Sequence, residues 1–306
     1  MTPTLRRRSM RALLARILPL LALLTLVACG GARGGRSSEG LDFAGRTRSH
    51  SLKVPAGGGQ GRPLLLVLHG GGGTNEGVAR ATRGGFDALA DKHRFVLVYP
   101  QGIDKSWNDG RQDPISTAHR DQIDDVGYLT ALIDDLHRRH GIDRQRVFVT
   151  GVSNGGFMAQ RMACDRADRV AGVVSVTAQL SVELALINGT DDPLVPYDGG
   201  FVTVFGRKRG AILSTDATLA FWRQHNGCED SAPAVLLPAV KADGTTVFEQ
   251  RWRCAGAPVA LLRIDKGGHA WPGGKQYLPQ ALVGKASAAV DASAWIWAFF
   301  AAVEAR

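Results

Sequence analysis

Several short segments of the 306-residue chain carry residue types that together perform acyl transfer. Gly151-Val152-Ser153-Asn154-Gly155 follows the apolar, β-branched run Arg146–Thr150 and leads into a helix-like stretch, Phe157–Cys164. A strand that stops at Gly-x-Ser-x-Gly and turns into a helix presents its serine at the edge of a sheet. The turn brings the two backbones together, so side chains at Gly151 and Gly155 would collide, and Ser153 must sit in a strained conformation. A serine hydroxyl attacks carbonyls only when a base and the right geometry activate it. The helix that follows points its positive N-terminal end at any oxyanion that develops.

The other parts such a serine needs lie in other segments. The apolar run Pro63–Leu68 ends in His69-Gly70-Gly71-Gly72-Gly73. Glycines let backbone N–H groups approach a substrate closely, so the amides of Gly71 and Asn154 are the candidate oxyanion donors. A phosphate cradle is the weaker reading of this loop, because neither Gly-x-Gly-x-x-Gly nor Gly-x4-Gly-Lys-Ser/Thr is present. Two histidines follow Ser153. His225 closes an amphipathic helix pattern. His269 sits in the glycine-rich loop Lys266–Gly274, just past the apolar run Val259–Ile264, where a base can reach a serine. The acid belongs in Ile187–Tyr197, where Asp191 and Asp192 begin a turn after another apolar run. One carboxylate would orient the histidine and the other would cap the turn; strand register does not choose between them. The chain has no His-Glu-x-x-His or paired Cys-x-x-Cys element, and this chemistry needs neither metal nor cofactor.

These segments need a scaffold that holds them together. The runs Pro63–Leu68, Phe95–Tyr99, Arg146–Thr150, Val170–Val176 and Leu184–Ile187 are continuous and apolar, as strands buried on both faces are. Helical patterns over Val78–His93 and Asp125–His140 separate several of them, the second stopping at Gly141. Thr215–His225 and Ser287–Val303 add two later helices, the last rich in Trp and Phe that pack on a sheet. The alternation predicts an α/β fold with a mostly parallel central sheet and helices on both faces.

Residues 1–28 read as a bacterial export signal: five arginines, no acid, then the apolar run Ile17–Ala28. Leu26-Val27-Ala28-Cys29 resembles a lipobox, making Cys29 the expected lipidation site and membrane anchor on the periplasmic or cell-surface side. Residues 29–40 read as a flexible tether and 41–306 as the catalytic domain. Loss of those five arginines lowers the net charge from +9 to +4. No dense basic cluster remains, so nucleic acid is not an expected partner. Export permits a disulfide, and Cys228 and Cys254, which flank a strand-rich segment, are the expected pair. Cys164 is expected to be a buried thiol.

The segments LHGGGG (68–73), SWNDGR (106–111), DDVGYLTALIDDL (124–136), VFVTGVSNGG (147–156), NGTDDPLVPY (188–197) and GGHAWPGG (267–274) resemble, in order, those of the polyhydroxybutyrate depolymerase/feruloyl esterase family. The resemblance covers nearly all of residues 47–303. It implies an α/β-hydrolase with Ser153 as nucleophile, Asp192 as acid and His269 as base, and it supports the Cys228–Cys254 pair. Asn188 stands where the family usually has His, and a frequent second cysteine before Ile187 is missing, which leaves Cys164 without that partner. Trp107, Tyr197 and Trp271 lie on the converging segments and are the candidate aromatic wall for a hydroxyalkanoate or feruloyl ester. With no appended polymer-binding module expected after the last helix, soluble esters or oligomers are favoured over solid polymer. Two rival readings are a serine peptidase on the same fold and a catalytically silent, lipid-anchored binding protein.

Overall fold

The computed structural model describes residues 35–304, apart from 58, 112, 114, 180–183 and 230–231. The export signal, Cys29 and the start of the tether lie outside the described residues.

The strands are β1 (Ser37–Phe43), β2 (Arg46–Lys53), β3 (Arg62–Leu68), β4 (Val96–Pro100), β5 (Ile142–Val152), β6 (Gly172–Val176), β7 (Leu184–Gly189), β8 (Gly200–Val204), β9 (Arg207–Ile212), β10 (Val235–Leu236), β11 (Thr246–Trp252) and β12 (Val259–Asp265). The helices are α1 (Asn75–Ala81), α2 (Gly85–His93), α3 (Thr117–Arg120), α4 (Asp125–His140), α5 (Asn154–Asp165), α6 (Thr215–His225), α7 (Gln280–Val283) and α8 (Ala292–Glu304). Ten strands form one sheet in the order β1-β2-β4-β3-β5-β6-β7-β12-β11-β10, and β8 pairs with β9 apart from it. The six strands from β4 to β12 run parallel, with antiparallel pairs at both edges.

Strand β3 shows why continuous apolar runs were needed. Leu65 and Val67 face a core built with α1, α2 and α8, while Leu64, Leu66 and Leu68 face one built with α4 and α5. Successive side chains of a strand point to opposite faces, so a strand covered on both sides has no polar position. The aromatics of α8 dock as expected: Trp297 stacks on Phe95 with ring centroids 4.0 Å apart, and Phe300 on Phe148 at 4.6 Å.

The chain leaves β3 for β4 on one side and returns to β5 on the other. Neighbouring loops therefore diverge at the carboxyl ends of β3 and β5, the place where open α/β sheets hold ligands.

Four expectations are corrected. The tether does not run to residue 40: Ser37–Phe43 pair antiparallel with Arg46–Leu52 through an Ala44-Gly45 turn, both at positive φ (50° and 73°). Those two conformations suit the twist of a two-residue hairpin, and the ladder is made of backbone bonds that composition does not reveal. Val78–His93 is two helices, broken where Arg83 and Gly84 both take positive φ (56° and 69°). The last helix starts at Ala292, not Ser287, because the Ser287 hydroxyl is committed to Thr245 and the Ala289 amide. Cys164 is exposed, not buried. The Cys228–Cys254 disulfide is present and packs against Leu219, Trp222 and Trp252.

Candidate active site

Ser153 joins β5 to α5 at φ 54° and ψ −123°, a sparsely populated conformation for a residue with a side chain. Its N–H donates to Val176 O of β6 (2.9 Å), and its carbonyl accepts from Phe157 N (2.9 Å). The flanking glycines are obligatory. A Cβ on Gly151 would lie 2.4 Å from Gly155 O, and one on Gly155 would lie 2.4 Å from His69 O. Ser153 Oγ has no hydrogen-bond partner among the described residues.

Asp192 and His269 meet. Asp192 is buried in the turn after β7; its Oδ1 accepts from Leu194 N and Val195 N, both at 2.8 Å, and its Oδ2 lies 2.8 Å from His269 Nδ1. Asp191 is exposed and its side chain accepts from Thr190 Oγ1. The turn, not the strand register, decides which of the two carboxylates faces the histidine. His269 is buried after β12, with its backbone N–H bonded to Val283 O. The loops of β7 and β12 interlock: Asp191 N donates to Gly267 O, and a Cβ on Gly189 would overlap Gly267 O. With Nδ1–H donating to the carboxylate, the Nε2 lone pair remains for a proton. His225, the other histidine after Ser153, instead packs edge-on against Trp222 within α6.

The glycine loop after β3 lies against the serine. A Cβ on Gly70 would come within 3.5 Å of Ser153 Cβ, and one on Gly71 within 3.6 Å of Asn154 Cβ. Gly71 and Asn154 are thus neighbours, as two donors to one oxyanion must be. Gly72 N donates to Lys105 O and Gly73 N to Gly70 O, which fixes the loop's path.

The ring of His69, to which sequence reasoning assigned no task, holds this loop. Its Nδ1 lies 2.8 Å from Gly70 O and its Nε2 accepts from Gly102 N at 3.0 Å. Burial lowers its pKa to about 4, so the ring is neutral at pH 7. A histidine near 6.5 when unfolded and about 4 when folded stabilises the fold above pH 6.5 and loses that contribution as pH falls toward 4. At pH 5 the loss is about 2 kcal/mol. Thermal melts at pH 7.5 and 5 should show the wild type falling more steeply than His69→Gln; parallel falls would exclude His69 as the source.

Asn154 and the segment after β4 form a second polar cluster. Asn154 Nδ2 donates to Asp109 Oδ2 (2.6 Å) and Trp107 O (2.9 Å), and Trp107 N donates to Asn154 Oδ1 (2.8 Å). Arg111 and His119 complete it around the fully buried Asp109 carboxylate. Asp109 and Arg111 stood in view within SWNDGR, but the pairings with His119 and Asn154 span 10 to 47 positions and no periodicity marks them.

The expected aromatic wall is not formed. Trp107 is fully buried with its indole N–H bonded to His69 O (2.9 Å), and Trp271 is buried edge-on to Phe86 with its N–H on Ser293 Oγ. Both are scaffold: each indole N–H found an internal acceptor, which let the ring sink into the core. Tyr197 is half-buried; burial first, then the negative charge of Asp216, pushes its hydroxyl up to about 12. Tyr277 is 51% exposed, and burial of its hydroxyl first, then the negative charge of Asp192, pushes that hydroxyl up to about 12. Two open depressions of about 500 Å³ lie elsewhere, one along Leu236–Ala239 and Thr245–Val247, the other rimmed by Arg36, Arg80, Arg83 and Lys275. Neither contains a residue of this site.

No family model matches the chain. Known proteins do. "Putative esterase NocK" of Nocardia uniformis subsp. tsuyamanensis is 33% identical over 266 residues, covering 79% of this chain and 75% of that protein. Poly(3-hydroxyalkanoate) depolymerase C of Paucimonas lemoignei is 30% identical over 128 residues, 40% of this chain and 29% of its own. Feruloyl esterase B of Piromyces equi is 26% identical over 245 residues, 73% of this chain and 43% of its own. The chain thus spans less than half the length of these last two. Among solved structures, an acetyl xylan esterase from Aspergillus awamori superposes with a TM-score of 0.52 at 15% identity, covering 76% of this chain and 94% of that one, which supports the α/β-hydrolase fold. With a relative of this identity matched over three quarters of its length, the chain belongs to the polyhydroxybutyrate depolymerase/feruloyl esterase family of carboxylic ester hydrolases.

Proposed function

We propose that the protein hydrolyses hydroxyalkanoate oligomers or feruloyl-type esters through an acyl-enzyme on Ser153. The observation that carries this reading is the buried 2.8 Å contact between His269 Nδ1 and Asp192, on the same sheet edge as a strained serine at a strand-to-helix turn. His269 Nε2 takes the Ser153 proton as Oγ bonds to the ester carbonyl carbon. The carbonyl oxygen becomes an anion held by the N–H groups of Gly71 and Asn154. The C–O bond to the alcohol breaks, and His269 returns the proton to the leaving oxygen. Water then repeats the sequence on the acyl-enzyme, freeing the acid. Asp192 keeps the imidazole in the required tautomer and stabilises its cation. The Ser153–His269 hydrogen bond belongs to the substrate complex, since catalytic hydrogen bonds commonly tighten only there. Tyr277, exposed and within electrostatic reach of Asp192, offers the aromatic surface for an acyl or aryl group.

The substrate classes come from the relatives named above. Export and anchoring through a lipid on Cys29 form part of the same reading, supported by the basic start, apolar run and Leu-Val-Ala-Cys ending of residues 1–29.

The test is a substrate panel with the chain from Gly30 onward, so that β1 stays intact: nitrophenyl esters, methyl ferulate, hydroxybutyrate oligomers and a peptide anilide. The expected result is ester turnover, negligible amide turnover and labelling by a fluorophosphonate. Methyl ferulate ahead of the oligomers, or the reverse, assigns the acyl group. Dominant anilide cleavage would make the protein a peptidase. A folded protein inert to all four and unlabelled would be the silent binding protein.

A further inference from the structure

We infer that Asp109 is a positioning residue for the oxyanion site: it clamps the Asn154 side chain and thereby fixes the aim of the Asn154 backbone N–H. The inference rests on the serine-esterase reading above.

Asn154 is the first residue of α5, and the first N–H groups of a helix have no partner within it. Within the helix, the peptide unit that carries this N–H is held through one bond, from Phe157 N to Ser153 O at 2.9 Å. The side chain supplies a second restraint. Both of its N–H donors and its carbonyl oxygen are engaged, by Asp109 Oδ2, Trp107 O and Trp107 N at 2.6, 2.9 and 2.8 Å. A carboxylate only accepts, so Asp109 also dictates which way the carboxamide faces.

Asp109 is itself held from every side. His119 Nε2 lies 2.8 Å from Oδ1, and Arg111 donates from Nη2 (2.6 Å), from Nε (3.1 Å) and from its backbone N–H (3.1 Å). Burial alone would raise this carboxyl, but the Arg111 charge and the His119 and Arg111 hydrogen bonds outweigh it and hold the pKa at about 2. Arg111 is braced in turn over the Phe157 ring, 3.9 Å from its centroid, on the same helix as Asn154. The segment is also pinned on its far side. Asn108 N donates to Asp125 Oδ2, and Asp125 pairs with the buried Arg48. Trp107 Nε1 donates to the carbonyl of His69, the residue that opens the glycine loop. Residues 107–109 therefore register Asn154 against the loop that carries Gly71.

Stability alone does not account for such a cluster. A buried ion pair often contributes nothing over apolar packing of the same volume, whereas fixing one geometry is its best-attested use. Misplacement of a reacting group by an ångström costs about 100-fold in rate.

The experiment uses Asp109→Ala, Asp109→Asn and Asn154→Ala in the full chain. Fluorophosphonate titration counts competent sites, so that kcat is expressed per site. A trifluoromethyl ketone, which adds Ser153 Oγ to its carbonyl and leaves an oxyanion in the hole, reports Ki. Asp109→Ala is expected to lower kcat per site on the order of 10- to 100-fold with KM within about threefold, and to raise Ki by the same factor. Asn154→Ala keeps the backbone N–H but should show the same pattern. Asp109→Asn, whose oxygen can still accept from Asn154, should recover most of the loss. The inference is overturned if kcat per site and Ki are unchanged and only the number of titratable sites falls. If Asp109→Ala does not fold, unchanged kcat per site and Ki in Asn154→Ala overturn it equally. A wild type that neither turns over esters nor labels would instead overturn the esterase reading on which this one stands.

Discussion

Ser153→Ala is expected to lower kcat for ester hydrolysis by on the order of 10⁵- to 10⁶-fold, with KM changed only a few-fold. Alanine keeps the backbone of the turn and removes one atom that makes no hydrogen bond among the described residues, so the fold loses almost nothing. Substrate still docks against the same walls and the same backbone amides. Residual turnover would be hydrolysis by water, assisted by oxyanion donors that remain in place. Steady-state kinetics and melting curves on the same preparation check this. A fall of less than 100-fold with an unchanged melt would mean that Ser153 is not the nucleophile.

Asp192→Asn should cost about 10⁴-fold in kcat, by a route that the structure specifies. Leu194 N and Val195 N both donate to Oδ1, so a carboxamide at this position keeps its oxygen there. Its NH2 group then faces His269 Nδ1, which must accept where it formerly donated. The ring proton moves to Nε2, and the lone pair that would take the Ser153 proton is gone. Both turn hydrogen bonds survive, so the melting temperature should shift little. Asp191→Asn is the matched control: its side chain is exposed and makes no contact with His269, and its kcat should stay within about twofold. Equal losses in the two variants would refute the assignment of Asp192.

The elements legible in the sequence were those whose local pattern and tertiary setting agree. Asp125–His140 was readable because an apolar face repeats along it and Gly141 ends it in a left-handed conformation (φ 59°). Strand β3 was readable because both its faces are covered. The elbow was readable because its glycines are sterically forced. Strands β1 and β9 were not, because backbone ladders hold segments whose side chains are largely polar and at the surface; β8 is apolar, but only Val202 of its five residues is buried. Val78–His93 reads as one helix despite its Gly84-Gly85 interruption because the apolar spacing continues across the break while the backbone does not. The aromatic wall failed for a different reason: closeness in sequence to the catalytic segments says nothing about whether a ring turns outward or in. Asp109 escaped because its partners are chosen by three-dimensional packing alone.

The placement of β12 bears on when the chain becomes reactive during its synthesis. This strand is among the last of the sheet to be made, yet it is wedged between β7 and β11 rather than added at an edge. Ser153 leaves the ribosome 116 positions ahead of His269, a delay of about 6 to 23 s at ordinary elongation rates. Throughout that interval the proposed nucleophile exists without its base, and the base gains its orientation only once β12 has docked beside β7. On the proposed mechanism the nascent chain is chemically silent until the sheet closes.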